Sequence, residues 1–351
     1  MPDLRLYTIK DIREWLINGN PPEGLSEHVI APVRAFSILN NPYVQESDAV
    51  VAALYEGEKL AAYTACFPDM ADNKRIWWAS TLWCSPEFQG KGYGLIVVGS
   101  LIESHEGELT LDRWGARETV EIFSYLGYRT IYSPRYIFGD KSINRKTLKG
   151  KIAYSIQEIK KSLHSTSCAE CSMPYTIKYS TFVDGETFAF MQTHRKNDVF
   201  LREQKMLNWI LNYPFLQSCL MLDLVTQDTE FSSDVTFYGN WVVKVYSNGV
   251  LVGIYVLCRN NTRLSVVYLY YIEEEKNTVY ASIIEHIRRM DTSSFETENG
   301  ELADFVQGHS YFPKKSIEQI SFSCPDNIIV LPQGKVSEEY SFQFGDGDSF
   351  A

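Results

Sequence analysis

A chain of 351 residues, 45% hydrophobic and 22% charged, is long enough for two ordinary domains with their own cores, and its composition excludes wholesale disorder. The formal charge of -11 is unevenly spread: residues 1–140 sum to -7, 141–161 to +6 and 162–351 to -10, a balance that opposes nucleic acid as a partner. The longest apolar runs, 249–258 and 266–272, are strand-length rather than bilayer-length, and the charged start MPDLRLYTIKDIREW lacks a signal-peptide core, so a cytoplasmic chain without membrane contact is expected.

In chain order, DIREWLING and SEHVIAPVRAFSILN carry apolar residues at helical spacing, the second with Ser26 as its cap. AVVAALYEGEKLAAYTACF reads as a hairpin turning at Glu56-Gly57. KRIWWASTLWCS is a third strand, LIVVGSLIES a helix, ELTLDRW a strand, RETVEIFSYLG a helix, and YRTIYSPRYIF a strand broken at Pro134. In the basic segment that follows, Ile152, Ile156, Ile159 and Leu163 recur at helical spacing after Gly150, predicting a helix that leaves its lysines outside.

The second half repeats this order. LREQKMLNWILNYPF is helical, WVVKVYSNGVLVGIYVLC is a hairpin over Asn248-Gly249, LSVVYLYYI is a strand and TVYASIIEHIRRM a helix. At an offset of 191 the two hairpins align Tyr55 with Tyr246, Leu60 with Leu251 and Ala62 with Gly253. The pattern reads as a weak internal duplication: a first unit at 1–140, a basic helical linker at 141–175, a second unit at 176–340 and a frayed tail at 341–351.

Seven cysteines, an odd number along a long chain, fit reduced thiols. Cys66, Cys84, Cys219 and Cys258 sit in apolar surroundings as small core residues. Cys168 and Cys171, with His164 upstream, have metal-like spacing but no fourth ligand, so no metal site is expected.

QGKGYG places three glycines in six residues between a strand and a helix. Glycine loses the most backbone freedom on folding, so three of them there need a physical reason. A strand ending before a helix gathers unpaired amide N–H groups at the positive end of the helix dipole, and glycines let that backbone approach a bulky anion such as a pyrophosphate. No Lys-Ser or Lys-Thr follows the last glycine, and no leading GxG opens a dinucleotide fingerprint.

Pro86-Glu-Phe-Gln89-Gly-Lys-Gly92-Tyr-Gly94 resembles the acetyl-CoA loop of the GNAT superfamily of N-acetyltransferases: Gln or Arg, two residues, Gly, one residue, Gly or Ala. The resemblance covers residues 1 to about 137 and includes Leu126-Gly127-Tyr128, a variant of the family's Leu-Gly-Phe. It implies an α/β (α+β) fold, a mixed, mostly antiparallel sheet flanked by helices, in tandem with a degenerate second GNAT-like unit. It also implies acetyl-CoA as acyl donor. The backbone amides of Gln89, Gly90, Lys91, Gly92, Tyr93, Gly94 and Leu95 would hold its pyrophosphate, with Lys91 adding charge. Leu82 and Cys84 would pair with the pantetheine arm as if it were a strand, in the gap where KRIWWASTLWCS parts from ELTLDRW. A strand N–H there would face the oxyanion formed when an amine attacks.

The chain departs from the family where many relatives carry an asparagine and a proton-donating tyrosine: here stand Ala116 and Phe123. Phe123 can pack on the pantetheine but has no proton to give. Tyr125 lies about 200° further round the helix and faces elsewhere. Asp112 is the nearest carboxylate to act as base, against the alternative that it caps the next helix or pairs with Arg113; Ser80 and Thr81 are candidates for holding a water. Trp77, Trp78, Trp83 and Tyr132 are candidates for lining an acceptor pocket, against the alternative of core positions. In the second half, Glu273, Glu274 and Glu275 stand where a pyrophosphate loop would fall; cofactor binding there is opposed, and an ordinary solvated turn is the simpler reading. That unit would wall the acceptor pocket or mediate assembly, and oligomeric state is left open. The expected activity is acetyl transfer to a primary amine of a small molecule or peptide. The alternatives are a CoA-binding module without chemistry and a Fem-type aminoacyl transferase, which also carries tandem GNAT-like units.

Overall fold

The computed structural model describes residues 2–20, 30–71, 74–139, 148–166, 174–195, 198, 200, 202–215, 237–312, 315–325 and 343. The side chain of Thr8 caps α1 (Ile9–Asn18) while Asp11 returns the bond, and Gly19 ends that helix in the left-handed region. α2 (Pro32–Leu39) opens on a proline behind Ala31, and Ser26 lies outside the described residues. β1 (Asp3–Thr8) is a strand that the sequence reading missed; it pairs antiparallel with β2 (Ala49–Glu56). β3 (Lys59–Ala71) and β4 (Lys74–Cys84) continue the meander. α3 (Tyr93–Ser104) then crosses to β5 (Leu109–Arg113), parallel to β4, and α4 (Arg117–Tyr125) leads to β6 (Tyr128–Gly139).

The second half repeats the series: β7 (Tyr175–Ser180), α6 (Gly185–His194), α7 (Gln204–Asn212), β8 (Tyr238–Ser247), β9 (Val250–Asn260), β10 (Arg263–Tyr271), α8 (Lys276–Arg289), β11 (Ser294–Thr297), α9 (Gly300–His309) and β12 (Lys315–Pro325). α5 (Leu148–Thr166) joins the halves. The hairpins share more than their order. β2 and β3 slip register between Leu54 and Tyr55, and β8 and β9 slip between Val245 and Tyr246, the same place at the offset of 191. A shared bulge is a feature that two unrelated hairpins have no reason to share.

Among the described residues twelve strands form one sheet, ordered β1-β2-β3-β4-β5-β12-β6-β11-β10-β9-β8-β7. Exchanging each strand with its counterpart in the other half reverses this order, so a pseudo-twofold passes between β12 and β6. The two halves therefore interlock, and Tyr175, expected in the linker, opens β7: β12 of the second half lies against β5 of the first, and β6 of the first lies against β11 of the second. Buried ion pairs cross the same seam, Arg113 with Glu298 and Arg135 with Glu296, while Arg202 reaches Asp69 at 3.4 Å. Among the described strands only β4–β5 and β10–β11 are parallel; the other pairs are antiparallel.

Two sequence expectations are corrected. β6 runs unbroken through Pro134, because β11 flanks β6 only from Tyr136 onward and the missing N–H at Pro134 costs no ladder bond on that side. α5 begins at Leu148, before Gly150, and its isoleucines are not covered: Ile152, Ile156 and Ile159 are 52%, 43% and 60% exposed. The helix rests instead on Gln157, which is buried and donates to the carbonyl of Ser293 at 3.1 Å. Among the described residues no helix is long and apolar enough to cross a membrane.

Candidate functional site

β4 and β5 pair only as far as Ala79 and Asp112, where β5 turns to β12 and β4 continues alone on that side. Thr81 is the extra residue of a bulge against β3, with φ +49°, a region that β-branched residues rarely enter. Beyond it the amide of Ser85 donates to the carbonyl of Ala61 at 2.9 Å, on the β3 side. Alternation along the strand then turns the amides and carbonyls of Leu82 and Cys84 the other way, into the gap.

After the turn Pro86–Phe88, Gly90 and Gly92 take φ of +80° and +79°, which glycine adopts at least cost. A Cβ on either would meet nothing within 4 Å, so the space over them is open. A Cβ on Gly94 would lie 3.0 Å from Ile122 Cδ1, so this glycine lets α3 approach α4. The amide of Ile96 makes the first helical bond, to the carbonyl of Gly92 at 3.2 Å. The amides of Tyr93, Gly94 and Leu95 precede it and have no carbonyl one turn behind them. They stand at the positive end of α3, as an anion cradle requires. Gln89 ties the loop to β4, its Nε2 donating to the carbonyl of Cys84 at 3.4 Å.

A groove of about 730 Å³ runs over this surface, lined by Leu82, Cys84, Gln89, Gly90, Gly92, Tyr93, Gly94 and Leu95. Lys91 does not line it; its Nζ lies over the rings of Phe88 and Tyr93, 4.8 and 5.7 Å from their centroids. The Tyr93 hydroxyl donates to Glu56, and that bond holds its pKa above the usual tyrosine value. Desolvation raises the Cys84 thiol, which keeps it neutral and a poor nucleophile.

Behind the groove lies a cavity of about 290 Å³, sharing Leu82, Ala116 and Thr119 with it. Asp112, Phe123, Ser80, Thr81 and Arg34 line this inner space. α4 serves both: Ala116, Thr119 and Phe123 face the cavity, while Glu118, Glu121, Ile122 and Tyr125 face the groove. Tyr125 thus sits on the rim, 79% exposed, rather than away from the site. Phe123 is fully buried, edge-on to Tyr128, whose hydroxyl desolvation pushes up to about 12. Phe123 has no acidic proton, and the Tyr128 hydroxyl, protonated at neutral pH, lines neither space.

Sequence reasoning missed Arg34, Thr64, Thr119, Glu118 and Glu121. The helical stripe Ala116, Thr119, Phe123 was a readable signal; Arg34 had none, being one residue on an ordinary amphipathic helix. The aromatic candidates divide. Trp83 lines the groove, but Trp77 and Trp78 are 1% and 0% exposed in the core, where His105 stacks on Trp77 and Phe200 packs edge-on against Trp78; Tyr132, on β6, is 57% exposed and lines neither space. Cys168, Cys171 and the side chain of His164 lie outside the described residues.

In the second half the turn Glu273–Glu275 runs straight into α8, without a counterpart of the four residues Gln89 to Gly92. Lys276 bridges Glu273 and Glu301 at 2.9 and 3.1 Å. The Tyr271 and Tyr280 hydroxyls meet at 3.1 Å, and Tyr280 packs edge-on against Phe305 of α9, closing α8 onto α9.

No protein-family model and no curated protein sequence matches the chain. Solved structures do match. A GCN5-related N-acetyltransferase from Anabaena variabilis is 10% identical, with a TM-score of 0.50 over 92% of this chain and 72% of that one. A tandem GNAT protein from the clavulanic acid biosynthesis pathway is 8% identical, with a TM-score of 0.50 over 92% of this chain and 98% of that one. A putative acetyltransferase from Pyrococcus horikoshii is 8% identical, TM-score 0.50, over 92% and 88%. The chain has the GNAT fold, with its mostly antiparallel sheet and flanking helices.

Proposed function

We propose that this chain is an acyl-CoA-dependent N-acyltransferase that moves an acetyl group to a primary amine. What supports the reading is one juxtaposition: a glycine cradle at the N-terminus of α3, opening into a groove along the unpaired side of β4, which ends at a cavity holding a carboxylate. The open space over Gly90 and Gly92 fits a bulky anion, where side chains would fill it. When bound, acetyl-CoA supplies an activated acetyl thioester.

The chain's own residues do the rest. The amides of Gly92, Tyr93, Gly94 and Leu95 hold the diphosphate, and the open-side backbone of Leu82 and Cys84 aligns the pantetheine arm. Asp112, 5% exposed where β4 and β5 part, takes a proton from the incoming ammonium so that its nitrogen can attack. A C–N bond forms as the C–S bond breaks, and the nitrogen's surplus proton ends on the released thiol. Phe123, on the wall of the inner cavity, excludes water from the thioester end. The closed second half holds no cofactor and supports the first through the shared sheet.

Phe123 favours one other reading, CoA binding without chemistry. Product analysis across an amine panel separates the two. Titration calorimetry tests the parent claim: acetyl-CoA should bind the wild-type chain, and Gly92→Glu, adding bulk and negative charge to the cradle, should abolish binding. No binding by the wild type at millimolar cofactor, or normal binding by a folded Gly92→Glu, refutes it.

A further inference from the structure

Three residues border both the groove and the inner cavity: Leu82 on β4, Ala116 at the start of α4 and Thr119 in its first turn. A molecule reaching from one space into the other passes between these two walls. Leu82 brings the main-chain amide of the open strand edge. Among the three side chains only that of Thr119 carries a polar group. The cavity wall holds other hydroxyls, but they stand off the passage: Ser80 accepts from Arg34 at 2.7 Å, Thr81 Oγ1 is buried, and Thr64 borders the cavity alone. Thr119 is half-buried, and its hydroxyl is accessible and without a hydrogen-bond partner among the described residues.

The backbone beside it is open as well. No side chain caps α4, and its first helical bond runs from the amide of Val120 to the carbonyl of Ala116 at 3.0 Å. The amides of Arg117, Glu118 and Thr119 therefore have no carbonyl one turn behind them, and this end of the helix dipole favours negative charge. Glu118 and Glu121 lie on the groove side of α4, the latter accepting from Arg117 at 2.9 Å. Phe123, one turn beyond Thr119 on the same face, offers no donor.

With the pantetheine arm in the groove and the amine in the cavity, the thioester group falls at this passage. Two of its atoms can accept from Thr119, the sulfur and the carbonyl oxygen. An alcohol holds its proton far more tightly than a thiol does, so Thr119 is a poor acid for the sulfur. The oxygen is the better acceptor, and it gathers negative charge as the nitrogen attacks, which is where a fixed donor gains most.

We propose that Thr119 is a catalytic residue that polarises the acetyl carbonyl, its hydroxyl donating to the thioester oxygen from α4 while the amide of Leu82 donates from β4. This rests on the acetyltransferase reading above. The bonds made and broken are the same, because the hydroxyl keeps its proton.

The test is infrared difference spectroscopy of the full chain with acetyl-CoA isotope-labelled at its carbonyl carbon, read against the unlabelled compound; it needs no acceptor. On the wild type the carbonyl stretch should fall below its frequency in water. Thr119→Val, which keeps the shape and removes the hydroxyl, should reverse part of that fall, and Thr119→Ser should keep it. Affinity for CoA, which has no acetyl oxygen, should be unchanged in both variants by calorimetry. With an amine that the wild type acetylates, Thr119→Val should lower kcat by about a hundredfold, and Thr119→Ser should restore most of it. Three outcomes overturn the proposal while acetyl-CoA still binds: a wild-type frequency no lower than in water, a frequency that Thr119→Val leaves in place, or equal losses in Thr119→Val and Thr119→Ser. Absence of acetyl-CoA binding by the wild type removes the parent reading and this proposal with it.

Discussion

Replacing Arg113 by Met probes the interlocked sheet where it is most exposed to error. Arg113 at the end of β5 and Glu298 just beyond β11 have side chains 0% and 3% accessible, and they meet across the pseudo-twofold. Removing one partner leaves the other charge buried, at a cost of about 3–5 kcal/mol, whereas replacing both by apolar residues of similar volume is often near neutral. With a urea m value of about 3 kcal/mol per M for a chain of this size, Arg113→Met or Glu298→Met should lower the unfolding midpoint by about 1 M or more. The double variant should recover most of that loss. Because each half contributes a strand to the other's side of the sheet, intrinsic fluorescence and far-ultraviolet circular dichroism should report one coincident transition in every variant. Single variants costing under about 1 kcal/mol, a double variant costing the sum, or separate transitions for the two halves would refute the reasoning.

Other consequences are open to direct measurement. Phe123→Tyr places a hydroxyl beside the inner cavity, and if the leaving thiolate lacks an acid, kcat should rise at least severalfold with KM for acetyl-CoA unchanged; a fall in kcat would show that the phenyl ring is needed as it stands. His286 is buried, its Nδ1 at 2.7 Å from the Ser282 carbonyl and 2.9 Å from the Tyr255 hydroxyl, and desolvation lowers its pKa below the usual histidine value. Between that lowered folded value and the unfolded value near 6.5, the unfolded chain binds more protons, so this histidine's contribution is present above about pH 6.5 and lost as pH falls. Urea midpoints at pH 7.5 and 5.0 should differ less in His286→Gln than in the wild type; an equal or larger difference contradicts the assignment. Cys84, with its thiol raised, should react with iodoacetamide at pH 7.5 more slowly than free cysteine, and acetyl-CoA should slow it further; rapid labelling indifferent to cofactor counts against both its environment and the groove.

Local chemistry made part of this molecule legible in its sequence. The turns at Gly57 and at Asn248-Gly249, the helical spacing of α1, α7 and α8, and the glycine loop between β4 and α3 are all decided within a few residues, and they stand where expected. Strand exchange is decided at long range. The sequence reading missed β12 as well, and nothing within KSIEQISFSCP says that its neighbours are β5 and β6, about 180–210 residues away. The isoleucines of α5 have a helical period, and a period marks a stripe without saying what covers it. At the site, the cradle was visible because glycines are conspicuous and their spacing is constrained by the anion. Arg34 was invisible because its meaning comes from Ser80 and Phe215, residues remote in sequence that the fold brings to it.

Hydrogen exchange read by mass spectrometry, with and without acetyl-CoA, tests the cradle most directly. The amides of Gly92 to Leu95 have no helical carbonyl to hold them and should exchange fast in the free chain. The account predicts that acetyl-CoA slows exchange in peptides spanning residues 89–96 and 82–85, and leaves 273–280 unchanged; loop amides indifferent to the cofactor, or protection appearing around Glu273 to Glu275 instead, would contradict it.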